Sequence, residues 1–320
     1  KQLRAEVGRL PQSAQTYNFS EDWDEDAIVA EHAIRYLDQA GENPFFLGVS
    51  MRKPHFPFLV HEDYYAPYED TVDMPTVTQA MLDNLPKQNR KHREKYGFAE
   101  MTDAQTKKAR AVYYGMVQFI DSQIGRILKK LDEKGLRENT IIVYLSDHGE
   151  MAGEHGLWYK NAFYQASAAV PMIISHPKTL DVGKQVDANV MLTDLFPTLC
   201  DMCGIDRPDE LQGRSLVPLM KQKVTTNKRP AICETYSDPR NPGRMIRRGD
   251  WKYNWFTDGK KQLFNIAKDP GETTDLIGEK QHADLVAKLH DLSMETFIPT
   301  PDSVFDQIKK EKEQQQKQAA

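Results

Sequence analysis

Long apolar runs are missing from this chain. None approaches the roughly 20 residues that a membrane-spanning helix needs, which argues against a span within these residues. Cysteine is scarce, with only Cys200, Cys203 and Cys233 present. Cys200-x-x-Cys203 lacks a second ligand pair at zinc-finger spacing, so the thiols are read as packing groups. No charge of one sign dominates: 42 Lys and Arg stand against 47 Asp and Glu, a formal net charge of −5. That balance shows no basic patch, and no nucleic-acid partner is expected. The one basic run, Lys87–Lys95, reads as a solvated helix face. Neither an initiator Met nor a signal peptide opens the chain, and no internal repeat is visible.

What is present suffices for a large core: 39% of the 320 residues are hydrophobic. Residues 24–39 carry helical periodicity through Ile28, His32, Ile34 and Leu37, and Gly41 to Pro44 ends it. Phe45–Ser50 follows as an expected buried strand. Residues 58–104 lack sustained periodicity and read as a long excursion with short helices. Tyr113, Val117, Ile120, Ile124, Leu128 and Leu131 recur at three- and four-residue steps, which marks one face of a helix over 105–134. Thr140–Ser146 is β-branched and apolar, the pattern of a buried parallel strand. A second strand at 170–174 and a helix at 190–203 complete an α/β pattern. The expected fold class is α/β, a doubly wound mixed sheet sandwiched by helices over residues 1–227. From residue 228 the pattern changes to short strands with tight turns, at 231–235, 244–247, 252–255 and 262–265. A helix at 280–296 covers that sheet in a smaller C-terminal α+β subdomain over 228–300. The Lys/Glu/Gln-rich tail, residues 301–320, is expected to be disordered.

The chemistry concentrates where the apolar strand stops. Asp147 and His148 follow Ser146 directly, and Lys160 lies twelve positions further on. In open α/β sheets ligands bind beyond the carboxyl ends of the strands. A carboxylate and an imidazole there can hold a metal ion, and a lysine returning on the loop can meet an anion beside it. A solvated Asp-His turn with an unrelated surface lysine is the plain alternative.

The run from Ser146 to Lys160 (Ser-Asp-His-Gly-Glu-Met-Ala-Gly-Glu-His-Gly-Leu-Trp-Tyr-Lys), continuing to Ala169 through Ile174, resembles the signature of the type I sulfatases. The choline sulfatase and iduronate sulfatase branch, where His follows Asp, is the most similar. Phe45 through Pro57, with its Lys53-Pro54-His55-Phe56-Pro57 loop, resembles the family's strand ending in a Pro-His-x-Pro loop. Asp194 to Leu199 with Gly213 to Leu216, and Lys252 through Glu272, are similar to its later helix and C-terminal subdomain. The resemblance runs from about residue 20 to 297 and implies an alkaline-phosphatase-like fold.

Roles follow from the resemblance alone. It implies that Asp147 and His148 are ligands of a divalent metal, most simply calcium, with manganese open because imidazole is an unusual calcium ligand. Lys160 would bind sulfate and His55 would serve the leaving group. Lys53, His155 and Trp158 would touch substrate. The family's Cys/Ser-x-Pro/Ala-x-Arg motif, whose first residue becomes the formylglycine nucleophile, does not occur here. The chain is therefore expected to be the C-terminal part of a longer enzyme, inactive alone. The implied substrate is a sulfated small molecule or carbohydrate, and the family expectation is export to the periplasm or outside the cell. A phosphodiesterase or phosphonate monoester hydrolase of the same superfamily, and a non-catalytic fragment, are the competing readings.

Overall fold

Asp24 starts the first long helix: its carboxylate accepts the Asp26 N–H and caps α1 (Glu25–Gln39). The computed structural model describes residue 8 and residues 10–221, 229–235 and 242–295. A short parallel pair is formed by β1 (Gln15–Tyr17) and β2 (Leu59–His61), and the Tyr17 hydroxyl donates to the Asp24 carboxylate at 3.1 Å. The basic run forms α2 (Lys87–Lys95). The spine is α3 (Asp103–Glu133), opened by a reciprocal capping box between Thr102 and Gln105.

The buried stripe of α3 is offset from the one the large residues mark. Ala109, Val112, Gly115, Met116, Phe119 and Ile120 face inward, whereas Val117 is 40% exposed. The reason is size. A Cβ added at Gly115 would come within 2.7 Å of the Tyr64 carbonyl oxygen, so this face is defined by small residues that admit a neighbouring backbone. The same holds in α1, whose buried positions are mainly Ala27, Ala30, Ala33 and Leu37 while Ile28 stands 45% exposed. α1 packs on α3, and the α3 stripe meets Phe58, Val60, Phe98, Trp158 and Tyr159 in the main core.

After α3 come β3 (Ile142–Leu145), the short α4 (Gln165–Ala168), β4 (Met172–Ser175) and α5 (Leu195–Cys203). The expected parallel strand is corrected here: β3 pairs antiparallel with β4, in register from Ile142 with Ser175 to Leu145 with Met172. Composition reports how apolar a strand's surroundings are, not the direction of its neighbour. Phe45–Ser50 is also not a strand in a ladder among the described residues, and Phe46 is 86% exposed. Of the thiols, Cys200 is buried and Cys233 packs half-buried against the cluster of Phe163, Met245 and Phe256, whereas Cys203 is exposed and does not fit the packing role.

The C-terminal sheet runs β5 (Ala231–Thr235), β6 (Gly243–Arg248), β7 (Trp251–Phe256), β8 (Lys261–Asn265), all antiparallel neighbours in that order. α6 (Ala283–Glu295) covers it, with Leu289 against Ile246, Tyr253 and Leu263. A separate apolar cluster joins this sheet to the rest: Phe264 and Ile266 pack with Leu85, Met151, Leu157 and Tyr164. The 301–320 tail lies outside the described residues. No helix among the described residues is long and apolar enough to cross a membrane.

Candidate active site

Two loops converge on one cleft of about 400 Å³. Ser50 to His55 forms one wall and Ser146 to Glu150 the other, with Tyr113 of α3 between them. The first loop is held by the start of α1. The buried Asp26 carboxylate accepts the backbone N–H groups of Arg52 at 2.6 Å and Lys53 at 3.0 Å. The Lys53 ammonium turns inward to pair with Asp24 and, at 3.8 Å, with Asp26, and it lies 5.1 Å from the centre of the Phe119 ring. Lys53, expected to touch substrate, lines the cleft but directs its ammonium to these carboxylates, where it anchors the loop.

His55 stays at the cleft. A turn bond joins its N–H to the Arg52 carbonyl, its Nδ1 contacts the Phe56 carbonyl oxygen at 2.7 Å, and its ring packs on Phe56 at 4.1 Å. Burial lowers the imidazole pKa. The Phe56 carbonyl partly offsets this, and the nearby Lys160, Arg52 and His148 lower it further.

On the other wall, Ser146 donates to the His148 carbonyl at 2.8 Å and Asp147 Oδ1 accepts the His148 N–H at 2.9 Å. His148 Nδ1 lies 2.8 Å from the Gly149 carbonyl oxygen, a contact that requires the proton on Nδ1. The other ring nitrogen, Nε2, lies 3.6 Å from Asp147 Oδ2. One oxygen and one nitrogen donor at this separation, with the imidazole oriented by a backbone carbonyl, fit two neighbouring ligands of a divalent ion. They are part of a donor set: among the described residues no group of three His, Cys, Asp or Glu side chains could hold a metal.

The loop from Met151 to Lys160 folds back over α3. Met151 N–H donates to the Tyr159 carbonyl and Gly153 N–H to the Leu157 carbonyl, both at 2.8 Å. Lys160 emerges with its ammonium 5.7 Å from the centre of the Phe56 ring, beside His55. His155 and Trp158, expected to touch substrate, are buried and are not among the residues that line this cleft. His155 is 4% exposed, hydrogen-bonds the Gly271 carbonyl through Nε2 at 3.0 Å and stacks on Tyr164 at 3.7 Å. Burial pushes its pKa down to about 4. Trp158 is buried against Phe58. Both alternate inward along a loop whose apolar residues build the core.

Sequence reasoning missed three contributors. Arg52 brings a half-exposed guanidinium to the cleft wall. Glu150 lines it as well, and burial pushes its carboxyl up to about 7. The basic α2, expected to be a solvated face, clamps the Lys160 loop: Asn89 donates to the Asn161 carbonyl at 2.6 Å and Arg93 to the Gly156 carbonyl at 3.2 Å. Only Glu150 carried a local signal, as a carboxylate directly after Asp147-His148-Gly149.

Comparison with known proteins bears on the family and the fold. The family described as Sulfatase matches residues 9–205, and the one described as N-sulphoglucosamine sulphohydrolase, C-terminal, matches residues 153–297. An arylsulfatase of Clostridium perfringens is 33% identical over 264 residues, which cover 81% of this chain and 54% of that protein. Among solved structures, the phosphonate monoester hydrolase of Agrobacterium radiobacter superposes with a TM-score of 0.76 at 26% identity, over 94% of this chain and 66% of that one. The protein BT4656, solved with its substrate D-glucosamine-2-N,6-O-disulfate, gives a TM-score of 0.72 at 22% identity, over 85% of this chain and 69% of that one. The fold is therefore alkaline-phosphatase-like, and the chain spans 34–54% of the length of the curated relatives it matches.

Proposed function

The chain belongs to the sulfatase family, and on that premise we propose that the full-length protein hydrolyses a sulfate monoester in the cleft between His55 and Asp147. The observation that carries the reading is the convergence of His55, Asp147 and His148 on one cleft with Lys160 beside it. Lys160 would draw a sulfuryl oxygen and offset its charge, where preorganised cations usually supply the largest share of such catalysis. His55, held in a fixed orientation by its turn and by Phe56, would meet the leaving oxygen. Asp147 Oδ2 and His148 Nε2 would hold a divalent metal, calcium or manganese. When bound, such an ion supplies positive charge at the ester, and the family's formylglycine supplies the nucleophile.

The substrate proposed is a sulfated carbohydrate. Support comes from the sulfated glucosamine bound by BT4656 and from the match to the N-sulphoglucosamine sulphohydrolase C-terminal family. The likeness to a phosphonate monoester hydrolase favours a second reading, hydrolysis of a phosphonate monoester in the same cleft. Turnover of 4-nitrophenyl sulfate, a sulfated glucosamine and phenyl phosphonate monoester by the full-length protein, with and without chelator, decides. Chelator-sensitive desulfation that collapses in Lys160→Ala supports the proposal. Faster turnover of the phosphonate replaces it, and no turnover of any ester overturns it.

A further inference from the structure

The loop that delivers Lys160 is built on backbone conformations that ordinary side chains avoid. Ala152, His155 and Tyr159 all have left-handed φ, at 45°, 55° and 71°. Each carries a steric cost that its surroundings must offset, and such residues gather where a side chain has to be aimed. The surroundings here are specific. One oxygen of Glu150, Oε1, accepts the backbone N–H of Ala152 at 3.2 Å and also the backbone N–H of Tyr159. These are the first and last left-handed residues of the loop, and the Tyr159 peptide leads directly into Lys160. The opposite face is held from elsewhere: the Lys160 carbonyl accepts the Ser167 hydroxyl at 2.6 Å, and the Tyr159 carbonyl accepts the Met151 N–H.

We propose that Glu150 is the positioning residue for Lys160: its carboxylate clamps both ends of the left-handed loop and so fixes where the ammonium meets the substrate anion. The inference rests on the sulfate-ester reading for its catalytic consequence. Glu150 Oε1 is turned to these two backbone N–H groups, of Ala152 and Tyr159.

Two conservative variants separate the clamp from the charge. Glu150→Gln keeps a carbonyl oxygen at the same reach and loses the charge. Glu150→Asp keeps the charge and is one methylene too short to hold both amides. In the full-length protein, Glu150→Asp should lower kcat/KM for the sulfate ester by about tenfold or more, and Glu150→Gln should stay within about threefold. On a Lys160→Ala background Glu150→Asp should cause no further loss, because a residue acting through Lys160 has nothing left to position. Amide hydrogen exchange reads the clamp without turnover: Tyr159 N–H should lose protection in Glu150→Asp and keep it in Glu150→Gln. The reverse ranking of the two variants, full additivity with Lys160→Ala, or unchanged Tyr159 exchange in Glu150→Asp overturns the proposal. If the wild type turns over no sulfate ester, the functional reading fails, and the exchange measurement still decides the clamp.

Discussion

His55 and Lys160, 105 positions apart in the chain, share the ring of Phe56: the imidazole packs on it at 4.1 Å and the ammonium lies 5.7 Å from its centre. Phe56 also packs on Tyr159 at 4.6 Å, so one aromatic side chain sets the spacing between the two loops. A cation over a ring is worth roughly 0.5–2 kcal/mol, more where water is excluded. Phe56→Leu keeps apolar volume but removes the π face. It should reduce kcat/KM of the full-length enzyme by about 3- to 30-fold, while Lys160→Ala should cost at least about 100-fold. Steady-state kinetics on both variants checks the ranking, and a Phe56→Leu enzyme with wild-type kinetics would show that the ring only fills space.

Gly149 is the tightest point between the candidate metal ligands and the rest of the fold. An added Cβ would lie 2.1 Å from the Ala166 carbonyl oxygen, and the Gly149 N–H donates to the Ser167 carbonyl at 2.8 Å. Neither partner is the end of a flexible side chain, so Gly149→Ala must displace the backbone of α4 or of the Asp147-His148 turn. We expect a loss of about 2–4 kcal/mol in stability and a weakened metal response of any activity. Thermal unfolding and a metal titration of turnover test both parts.

Much of the site was legible because strand ends and motif spacing are local signals. Asp147, His148 and Lys160 follow one apolar run, so that wall was visible as a pattern, whereas the Lys53 to Pro57 loop was located through the family resemblance. The direction of a side chain was not legible. Lys53 and His155 differ from His55 only in what folds against them: Asp24 in one case, Gly271 and Tyr164 in the other. The partner of His155 lies 116 positions away in sequence. The α3 stripe was right at Ile120 and Leu131, and at Tyr113 and Ile124 beside the core, but wrong at Val117 and silent on Ala109 and Gly115, since small residues that admit a neighbour carry little weight in a hydrophobic pattern. Clamps such as Asn89 on Asn161 and Glu150 on Tyr159 end on backbone groups, which no residue identity announces.

Lys252 and Glu272 tie the C-terminal sheet to the active-site loops through a buried ion pair of 2.7 Å, both side chains almost wholly removed from water. Each partner also grips Gln165 on α4: Lys252 bonds its side-chain oxygen at 3.2 Å, and Glu272 accepts its backbone N–H at 2.5 Å. Breaking a buried pair leaves one uncompensated charge, at a typical cost of about 3–5 kcal/mol. Lys252→Met should destabilise the protein by that order, and adding Glu272→Gln should recover part of it, because Gln still accepts the Gln165 N–H without the stranded charge. Denaturant unfolding of the single and double variants measures the recovery. A double variant less stable than Lys252→Met would place the energy in the Glu272 bonds rather than in the pair.

Stability should fall on the acid side through His155. Its folded pKa is lowered to about 4 by burial, against about 6.5 when unfolded. A neutral imidazole is therefore what the fold accepts, and the unfolded chain takes up the proton first as pH drops. The contribution is fully present above pH 6.5 and is lost progressively between about 6.5 and 4, up to about 3 kcal/mol. His92, also lowered to about 4 by burial and then by Lys95, acts in the same direction over the same window. Asn tolerates the left-handed backbone of His155 and can donate to the Gly271 carbonyl, yet it does not titrate. His155→Asn should thus lower stability at pH 7 but flatten its decline from pH 6.5 to 4. Urea titrations across that range read the slope directly. An unchanged slope in the variant would assign the acid sensitivity to other groups.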